Sequence, residues 1–184
     1  MAEKEFDLIL WGATGFTGQL VAEYLATHYG VDGDLKWAIA GRNQDKLEQV
    51  RSEILPQKAR QHLALFVGDS QDRSSLDALA KRTRVICTTV GPYARYGTPL
   101  VEACVEAGTH YCDLTGEVQW MQRIIASLQD KAETSGARIV HTCGFDSIPS
   151  DLGTFFVQQA MTEKFGAPGK VVKCRVGRSD GTFS

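Results

Sequence analysis

Residues 6–18, FDLILWGATGFTG, join a short apolar segment to three glycines, Gly12, Gly15 and Gly18. In a strand–turn–helix unit, glycine serves first for a tight turn, then for close approach of a ligand to the backbone, and last for packing the helix on the strand. The apolar run at residues 8–11 is typical of a strand buried on both faces. The stretch therefore predicts a turn that binds the pyrophosphate of a dinucleotide.

The segment after these glycines has the spacing of an amphipathic helix. Apolar and aromatic side chains recur at helical intervals and are expected to form its buried face: Phe16, Leu20, Val21, Tyr24, Leu25 and His28. Unpaired amides and the positive dipole end of such a helix favour a phosphate anion, and two threonine hydroxyls could add hydrogen bonds. The candidate cofactor-binding residues here are Gly12, Thr14, Gly15, Phe16, Thr17 and Gly18. The alternative is a purely structural turn.

Composition limits the class of protein. A chain of 184 residues with 43% hydrophobic residues can bury roughly 70% of its unfolded surface, enough for one full core. The net charge of −2, with dispersed lysine and arginine, argues against nucleic-acid binding. The acidic N-terminus and the lack of a long apolar segment predict no signal peptide and no transmembrane segment, and a cytoplasmic location. Five cysteines without a CxxC pair fit reduced thiols.

The rest of the chain alternates short apolar segments with helical patterns. Further strands are predicted at residues 37–40, 63–67, 85–90, 110–113 and 138–141, with helices between them. Expected helix ends include an Asn43 cap, a capping box of Ser74 and Asp77, and terminal glycines Gly108 and Gly136. This alternation predicts the α/β class: a doubly wound parallel sheet of Rossmann type, with its ligand at the carboxyl ends of the strands.

Residues 1–150 are expected to form the dinucleotide-binding domain. A further helix from Pro149 carries Leu152, Phe155 and Phe156 on one side, and residues 171–176 have the pattern of another strand. We therefore expect residues 151–184 to be a connecting helix and the start of a second domain for substrate binding or dimerisation, cut short at Ser184.

The residue after the second strand selects between cofactors. A carboxylate there binds the ribose hydroxyls of NAD, whereas arginine pairs with the extra phosphate of NADP. The chain has Arg42 at this point, and Asp32 and Asp34 precede the strand, at the opposite end of the sheet. NADP is therefore predicted in preference to NAD. The alternatives are an exposed turn arginine, or one that stacks on adenine in a protein that accepts both cofactors.

Two further loops complete the predicted site. Asp69 and Ser70 follow the third strand, within reach of the adenine amino group. Thr89, Val90 and Gly91 follow the fourth strand, beside the expected nicotinamide ribose, although an ordinary strand-ending turn would look the same.

The catalytic residue is not evident from the sequence. A short-chain dehydrogenase needs a tyrosine with a lysine four residues later, and none of the five tyrosines has one. Tyr93 is a weak candidate for proton donation, with pocket lining as the alternative. His110 with Cys112 and His141 with Cys143 end neighbouring strands, but they lack the usual spacing of zinc ligands, so no metal is predicted.

Five segments, GATGFTG, AGRN, TTVGPYARYG, HYCDLTGE and GFDSIPSDLG, occur in this order after successive strands. Together they resemble the saccharopine dehydrogenase-like oxidoreductases, and more narrowly the branch that includes trans-acting enoyl reductases. The resemblance extends from Phe6 to about Gly181. The first two segments match the family's cofactor motifs at Arg42 and within residues 12–18.

The resemblance implies an NADP-dependent oxidoreductase with a small-molecule substrate, and a homodimer in the longer family members, which carry a second α/β domain. It does not identify the substrate, because relatives include lipid-modifying reductases. The expected reaction is hydride transfer to a C=C, C=O or C=N bond, and this chain by itself is expected to be inactive. A non-catalytic NADP(H)-binding sensor and a scaffold with a vestigial site are the alternatives.

Overall fold

The computed structural model describes residues 4–177, which form two compact units, one up to Cys143 and one from Gly144 onward. The elements of the first unit are β1 (Phe6–Trp11), α1 (Phe16–Tyr29), β2 (Trp37–Gly41), α2 (Gln44–Ile54), a 3-10 turn (Arg60–His62), β3 (Ala64–Val67), α3 (Arg73–Arg82), β4 (Thr83–Thr88), α4 (Tyr93–Tyr96), α5 (Thr98–Ala107), β5 (His110–Asp113), α6 (Val118–Ser135) and β6 (Ile139–Val140). The second unit contains α7 (Ile148–Phe165).

The six strands form one parallel sheet in the order β3-β2-β1-β4-β5-β6. The chain leaves β1 toward β2 on one side and reaches β4 on the other, so the order reverses between β1 and β4. This is the switch point at which doubly wound sheets bind ligands. The predicted fold class is confirmed.

The core lies on both faces of the sheet. On one face, Ile9 and Ile86 pack with buried residues of α3, α5 and α6, among them Leu76 and Trp120. On the other face, Leu10 and Ile39 pack with residues of α1 and α2, including Ala22 and Leu47. Burial on both sides explains the continuous apolar runs of the strands.

The helix ends agree with the sequence except at α3. Asn43 caps α2 through its side chain, which accepts a hydrogen bond from Lys46 N, and Gly108 and Gly136 end α5 and α6 in the left-handed conformation. The predicted capping box of Ser74 and Asp77 is wrong. Asp72 caps α3 by accepting a hydrogen bond from Ser74 N, so the helix begins at Arg73, earlier in the chain than predicted.

The fourth strand spans residues 83–88 rather than the predicted 85–90. Thr83 already pairs with Phe6 of β1, so the strand begins earlier than its apolar run. At its other end, the Thr88 hydroxyl accepts a hydrogen bond from Val90 N and turns the chain out of the sheet.

The predicted buried face of α1 is largely wrong. Phe16 and Tyr24 are 83% and 55% exposed, and the buried residues of the helix are Gly18, Ala22 and Leu25. Gly18 lies against the backbone of Gly12, and this close contact turns the small residues of the helix toward the sheet. The larger side chains therefore face outward.

The second unit has a helix and an irregular segment. In α7, Leu152, Phe155 and Phe156 are more than half exposed. The strand predicted at residues 171–176 is absent, because no other strand in the described part of this unit is available to pair with it. The last part of the predicted second domain, residues 178–184, lies outside the described residues. No helix within residues 4–177 has both the length and the apolar character needed to cross a bilayer.

Candidate functional site

Two of the three glycines are required by the fold. Gly12 has a φ of +92°, and a Cβ there would lie 2.5 Å from the Val90 side chain. A Cβ on Gly18 would lie 2.1 Å from the Gly12 carbonyl oxygen, a backbone atom that cannot move aside. Gly12 thus forms the turn after β1, and Gly18 lets α1 begin close to it.

Gly15 differs from its neighbours because its open side faces away from the protein. A Cβ added to Gly15 would lie nearest to the Gly12 carbonyl oxygen, at an ordinary contact distance of 3.5 Å. Gly15 also precedes α1, and no side chain in residues 4–177 caps this helix start. The first amides of α1 are therefore available to an anion.

A groove of about 220 Å³ lies over the carboxyl ends of β1, β2 and β4. Its lining residues are Trp11, Gly12, Thr14, Gly15, Gly41, Arg42, Ser70, Thr89, Val90 and Gly91. Eight of these ten belong to the predicted cofactor-binding set, so residues far apart in the sequence meet at one place. Phe16, Thr17, Gly18 and Asp69 are outside the lining. Trp11 and Gly41 were not predicted, although each ends a strand whose loop was.

Arg42 projects from the groove wall directly after β2. Its side chain is exposed, and no acceptor among the described residues forms a hydrogen bond or ion pair with it. Asp32 pairs with His62, at the opposite end of the strands as the sequence indicated. The guanidinium is thus free to meet an anionic group in the groove, without a competing carboxylate.

The loop after β3 contributes one lining residue. Ser70 is buried and lines the groove. The Asp69 carboxylate accepts a hydrogen bond from Gln71 N at 2.8 Å and shapes the turn. Asp69 therefore positions this loop from outside the lining.

The loop after β4 is tied to the glycine turn. Thr89 N donates to the Trp11 carbonyl oxygen at 3.0 Å, and its hydroxyl donates to the Gly12 carbonyl oxygen at 3.3 Å. Val90 packs where a Gly12 side chain would otherwise lie. These contacts hold the two walls of the groove together.

Tyr93 is buried beneath this loop. Its hydroxyl donates to the Thr88 carbonyl oxygen at 3.2 Å and accepts from Leu114 N at 3.4 Å. Burial also raises the pKa of the phenol well above its ordinary value. In this arrangement the hydroxyl joins the ends of β4 and β5 and holds its proton tightly.

Glu117 connects the same two loops. Its carboxylate accepts hydrogen bonds from Tyr93 N at 2.6 Å and Ala94 N at 2.8 Å, the first amides of α4. The structure shows a cap supplied from a distant loop.

We expect Glu117→Ala to lower the free energy of unfolding by about 1 to 2 kcal/mol, because two amide donors lose a charged acceptor. Glu133→Ala, which removes an exposed carboxylate from α6, the helix that follows Glu117, is the matched control and should change stability by less than about 0.5 kcal/mol. Urea denaturation of both variants measures the difference. Equal effects would contradict the cap.

A buried polar network lies at the ends of β5 and β6. The Asp113 carboxylate accepts hydrogen bonds from the Tyr111 hydroxyl (2.9 Å), Thr115 N (3.1 Å) and Thr142 N (3.1 Å), and its other contact is His141 Nδ1 at 2.7 Å. His141 Nε2 is buried without a partner in the described residues. The sequence placed Asp113 and His141 on neighbouring strands but gave no sign of this pairing.

The two histidines that the sequence places at the ends of β5 and β6 have other partners in the structure. Within residues 4–177, no group of three or more histidine, cysteine, aspartate or glutamate side chains is arranged around a common point. His141 instead contacts Asp113, and His110 Nδ1 accepts a hydrogen bond from Arg138 N.

A larger groove, of about 920 Å³, runs between α6 and β6. Its walls are mainly aliphatic side chains such as Leu128 and Ile139, and its lining includes neither the glycine turn after β1 nor Arg42. The smaller groove combines that turn, the start of α1 and a guanidinium, so it is the better candidate for the cofactor.

Comparisons with known proteins agree with this geometry. The family described as saccharopine dehydrogenase NADP binding domain matches residues 8–140. A trans-acting enoyl reductase of Mycobacterium tuberculosis is 47% identical over 162 residues, which cover 88% of this chain and 38% of that protein. One from Mycobacterium leprae is 44% identical over 161 residues, covering 88% and 37%. The chain spans about two fifths of the length of such relatives.

Solved structures share the fold at low sequence identity. Saccharopine dehydrogenase (L-Glu forming) from Saccharomyces cerevisiae matches with a TM-score of 0.65 at 16% identity, over 86% of this chain and 31% of that one. The triphenylmethane reductase of Citrobacter sp., solved with NADP(H), matches with a TM-score of 0.56 at 16% identity, over 85% and 54%. Both likenesses concern the fold alone.

Proposed function

This chain belongs to the saccharopine dehydrogenase NADP-binding domain family, and from that membership we propose that its glycine-turn groove holds the NADP of a two-domain reductase. The family match, over residues 8–140, covers most of the first unit. The residues that bind the cofactor, and the activity of the longer protein, are the proposal.

The observation that carries the proposal is the meeting of Gly15 and Arg42 at one groove. Gly15 leaves room for the backbone to approach a pyrophosphate, and the uncapped start of α1 supplies donors. Arg42 offers a free guanidinium at the adjacent edge, suited to the 2′-phosphate that distinguishes NADP from NAD. Ser70 would lie beside the adenosine part of the bound cofactor, and Thr89 beside its nicotinamide part.

We expect Arg42→Ala to weaken NADPH binding by about 10- to 100-fold, which corresponds to about 1.5 to 3 kcal/mol for a lost charge-assisted contact. NADH lacks the phosphate, so its affinity should change by less than about twofold. Arg123→Ala, an exposed charge on α6 outside the groove lining, is the matched control. Isothermal titration with both nucleotides measures the effect, and equal losses for NADPH and NADH would refute the role of Arg42.

The longer protein would transfer a hydride between the cofactor and a polarised double bond. Bound NADPH supplies the hydride, and the protein orients it and excludes water. Among C=C, C=O and C=N substrates, the printed names of the enoyl reductase relatives favour a conjugated C=C bond. A time course of absorbance at 340 nm with a 2-enoyl thioester, using the longer protein, tests this activity.

Residues 151–184 would lead into the second domain of that protein. The exposed Leu152, Phe155 and Phe156 of α7 support this, because such side chains usually pack against further structure. We propose that the second domain shapes the substrate pocket and forms a homodimer, and that the protein works in the cytoplasm. Sedimentation of the longer protein tests the dimer.

A non-catalytic sensor is the second candidate, because the candidate proton donor Tyr93 is buried with both of its hydrogen bonds satisfied. A sensor would bind NADPH with the same loss on Arg42→Ala, yet the longer protein would oxidise no NADPH with any enoyl, keto or imine compound. NADPH consumption that depends on substrate excludes it.

A further inference from the structure

Two cysteines stand side by side on neighbouring strands. Cys87 of β4 and Cys112 of β5 are paired in register, so their side chains leave the same face of the sheet. Both are half-buried and neither is in a disulfide. Cys143, after β6, is exposed, whereas Cys104 of α5 is fully buried.

The spacing of the pair is close to that of a disulfide. Adjacent strands are about 4.8 Å apart, within the usual range of Cα separations across a disulfide. The Cβ atoms of a disulfide lie about 3.8 Å apart, somewhat closer than in-register side chains on parallel strands. The bond can therefore form with a small inward shift of β4 and β5, and the strain makes it easy to reduce.

The two thiols differ in acidity. The neighbouring Cys112 thiol lowers the pKa of Cys87 below its ordinary value, and the neighbouring Cys87 thiol raises the pKa of Cys112. Burial raises the pKa of Cys104 far above its ordinary value. Because the thiolate is the nucleophile in disulfide exchange, Cys87 is better prepared for attack than Cys104.

We propose that Cys87 and Cys112 are a reversible thiol-oxidation site, which low-molecular-weight disulfides such as oxidised glutathione convert to a disulfide bond. The Cys87 thiolate attacks one sulfur of oxidised glutathione and releases a glutathione thiolate. The Cys112 sulfur then attacks Cys87 in this mixed disulfide, releasing the second glutathione, and its proton passes to a released thiolate. Two protein thiols are oxidised and one glutathione disulfide is reduced to two thiols.

The new bond would act on the cofactor groove through β4. Cys87 is two residues before Thr89, whose amide and hydroxyl bind the Trp11 and Gly12 carbonyl oxygens in the groove wall. Drawing β4 toward β5 shifts this end of the strand away from β1. Oxidation is therefore expected to lower NADPH affinity by about threefold or more. This consequence rests on the proposed groove, whereas formation of the disulfide does not.

The site is tested on the 184-residue chain by incubation with oxidised glutathione and mass mapping of tryptic peptides. Trypsin leaves Cys104 and Cys112 on one peptide, so the mapping uses Cys104→Ser, or fragment ions between the two positions if that variant does not fold. The expected product links residues 85–95 to residues 96–123 through Cys87 and Cys112, and dithiothreitol removes the link.

Single variants separate this site from the other thiols. Cys87→Ser and Cys112→Ser should each abolish the crosslink, while Cys143→Ser and Cys174→Ser should retain it. A link from Cys143 to either cysteine, a stable glutathione adduct at Cys87, or two unreacted thiols would overturn the proposal.

Affinity for NADPH is measured by titration of the reduced and oxidised chain. A loss restored by dithiothreitol, and absent in Cys112→Ser, supports the link to the groove. Equal affinities with the disulfide formed would overturn that link. Failure of the reduced chain to bind NADPH would instead count against the proposed function, because the mapping does not use the nucleotide.

Discussion

Gly15→Val is expected to raise the dissociation constant for NADPH about 100-fold or more, a loss of about 2.7 kcal/mol, while the protein stays folded. The new side chain would fill the space through which a pyrophosphate reaches the start of α1. The fold should tolerate it, because Gly15 has a negative φ and an added Cβ meets only the Gly12 carbonyl oxygen, at 3.5 Å. Titration calorimetry with NADPH and thermal unfolding without ligand measure the two effects.

Two other glycines serve as controls for this variant. Gly116→Val adds the same side chain in a loop where no atom lies within 4 Å of the new Cβ, so binding and stability should both remain near wild type. Gly18→Val should fail to fold, because its Cβ would overlap the Gly12 carbonyl oxygen at 2.1 Å. Unchanged NADPH affinity in a folded Gly15→Val protein would remove the basis for the proposed groove.

Asp113→Ala is expected to lower the free energy of unfolding by about 3 to 4 kcal/mol. The carboxylate is fully buried, and its removal leaves the Tyr111 hydroxyl, two backbone amides and His141 without their acceptor. Each buried donor left unsatisfied costs about 1 to 3 kcal/mol. Water that enters the small cavity left by the carboxylate would offset only part of this cost. Urea denaturation followed by circular dichroism measures the change.

Asp130→Ala is the control for that loss, because it removes an exposed carboxylate from α6 and should alter stability by less than about 0.5 kcal/mol. Asp113→Asn keeps one acceptor oxygen and should fall between wild type and alanine. A loss below about 1 kcal/mol in Asp113→Ala would mean that water satisfies these donors and that the network contributes little.

Several local predictions succeeded because their causes are local. The Asn43 cap and the left-handed Gly108 and Gly136 depend on neighbours within four residues, so the sequence displays them directly. The turn after β1 also has a local part, because Gly15 N donates to the Gly12 carbonyl oxygen three residues earlier. The alternation of strands and helices then limits the sheet to a parallel arrangement.

Other predictions failed where packing outweighed local pattern. The apolar residues of α1 suggested the wrong buried face, because Gly18 brings the helix onto Gly12 and leaves Phe16 outside. Residues 171–176 have the composition of a strand, but a strand needs a partner for its backbone groups, and the described part of their unit has none.

The amino-acid sequence by itself determined the alternation of strands and helices, the turn at Gly12 and the position of Arg42 after β2. Each of these follows from a short-range sequence pattern. Only the tertiary structure decided that Thr89 supports that turn, that Glu117 caps α4 and that Asp113 meets His141. The physical reason is distance along the chain. These partners are 23 to 77 residues apart in the sequence. Only the pairing of strands in a particular register brings their atoms within hydrogen-bond range.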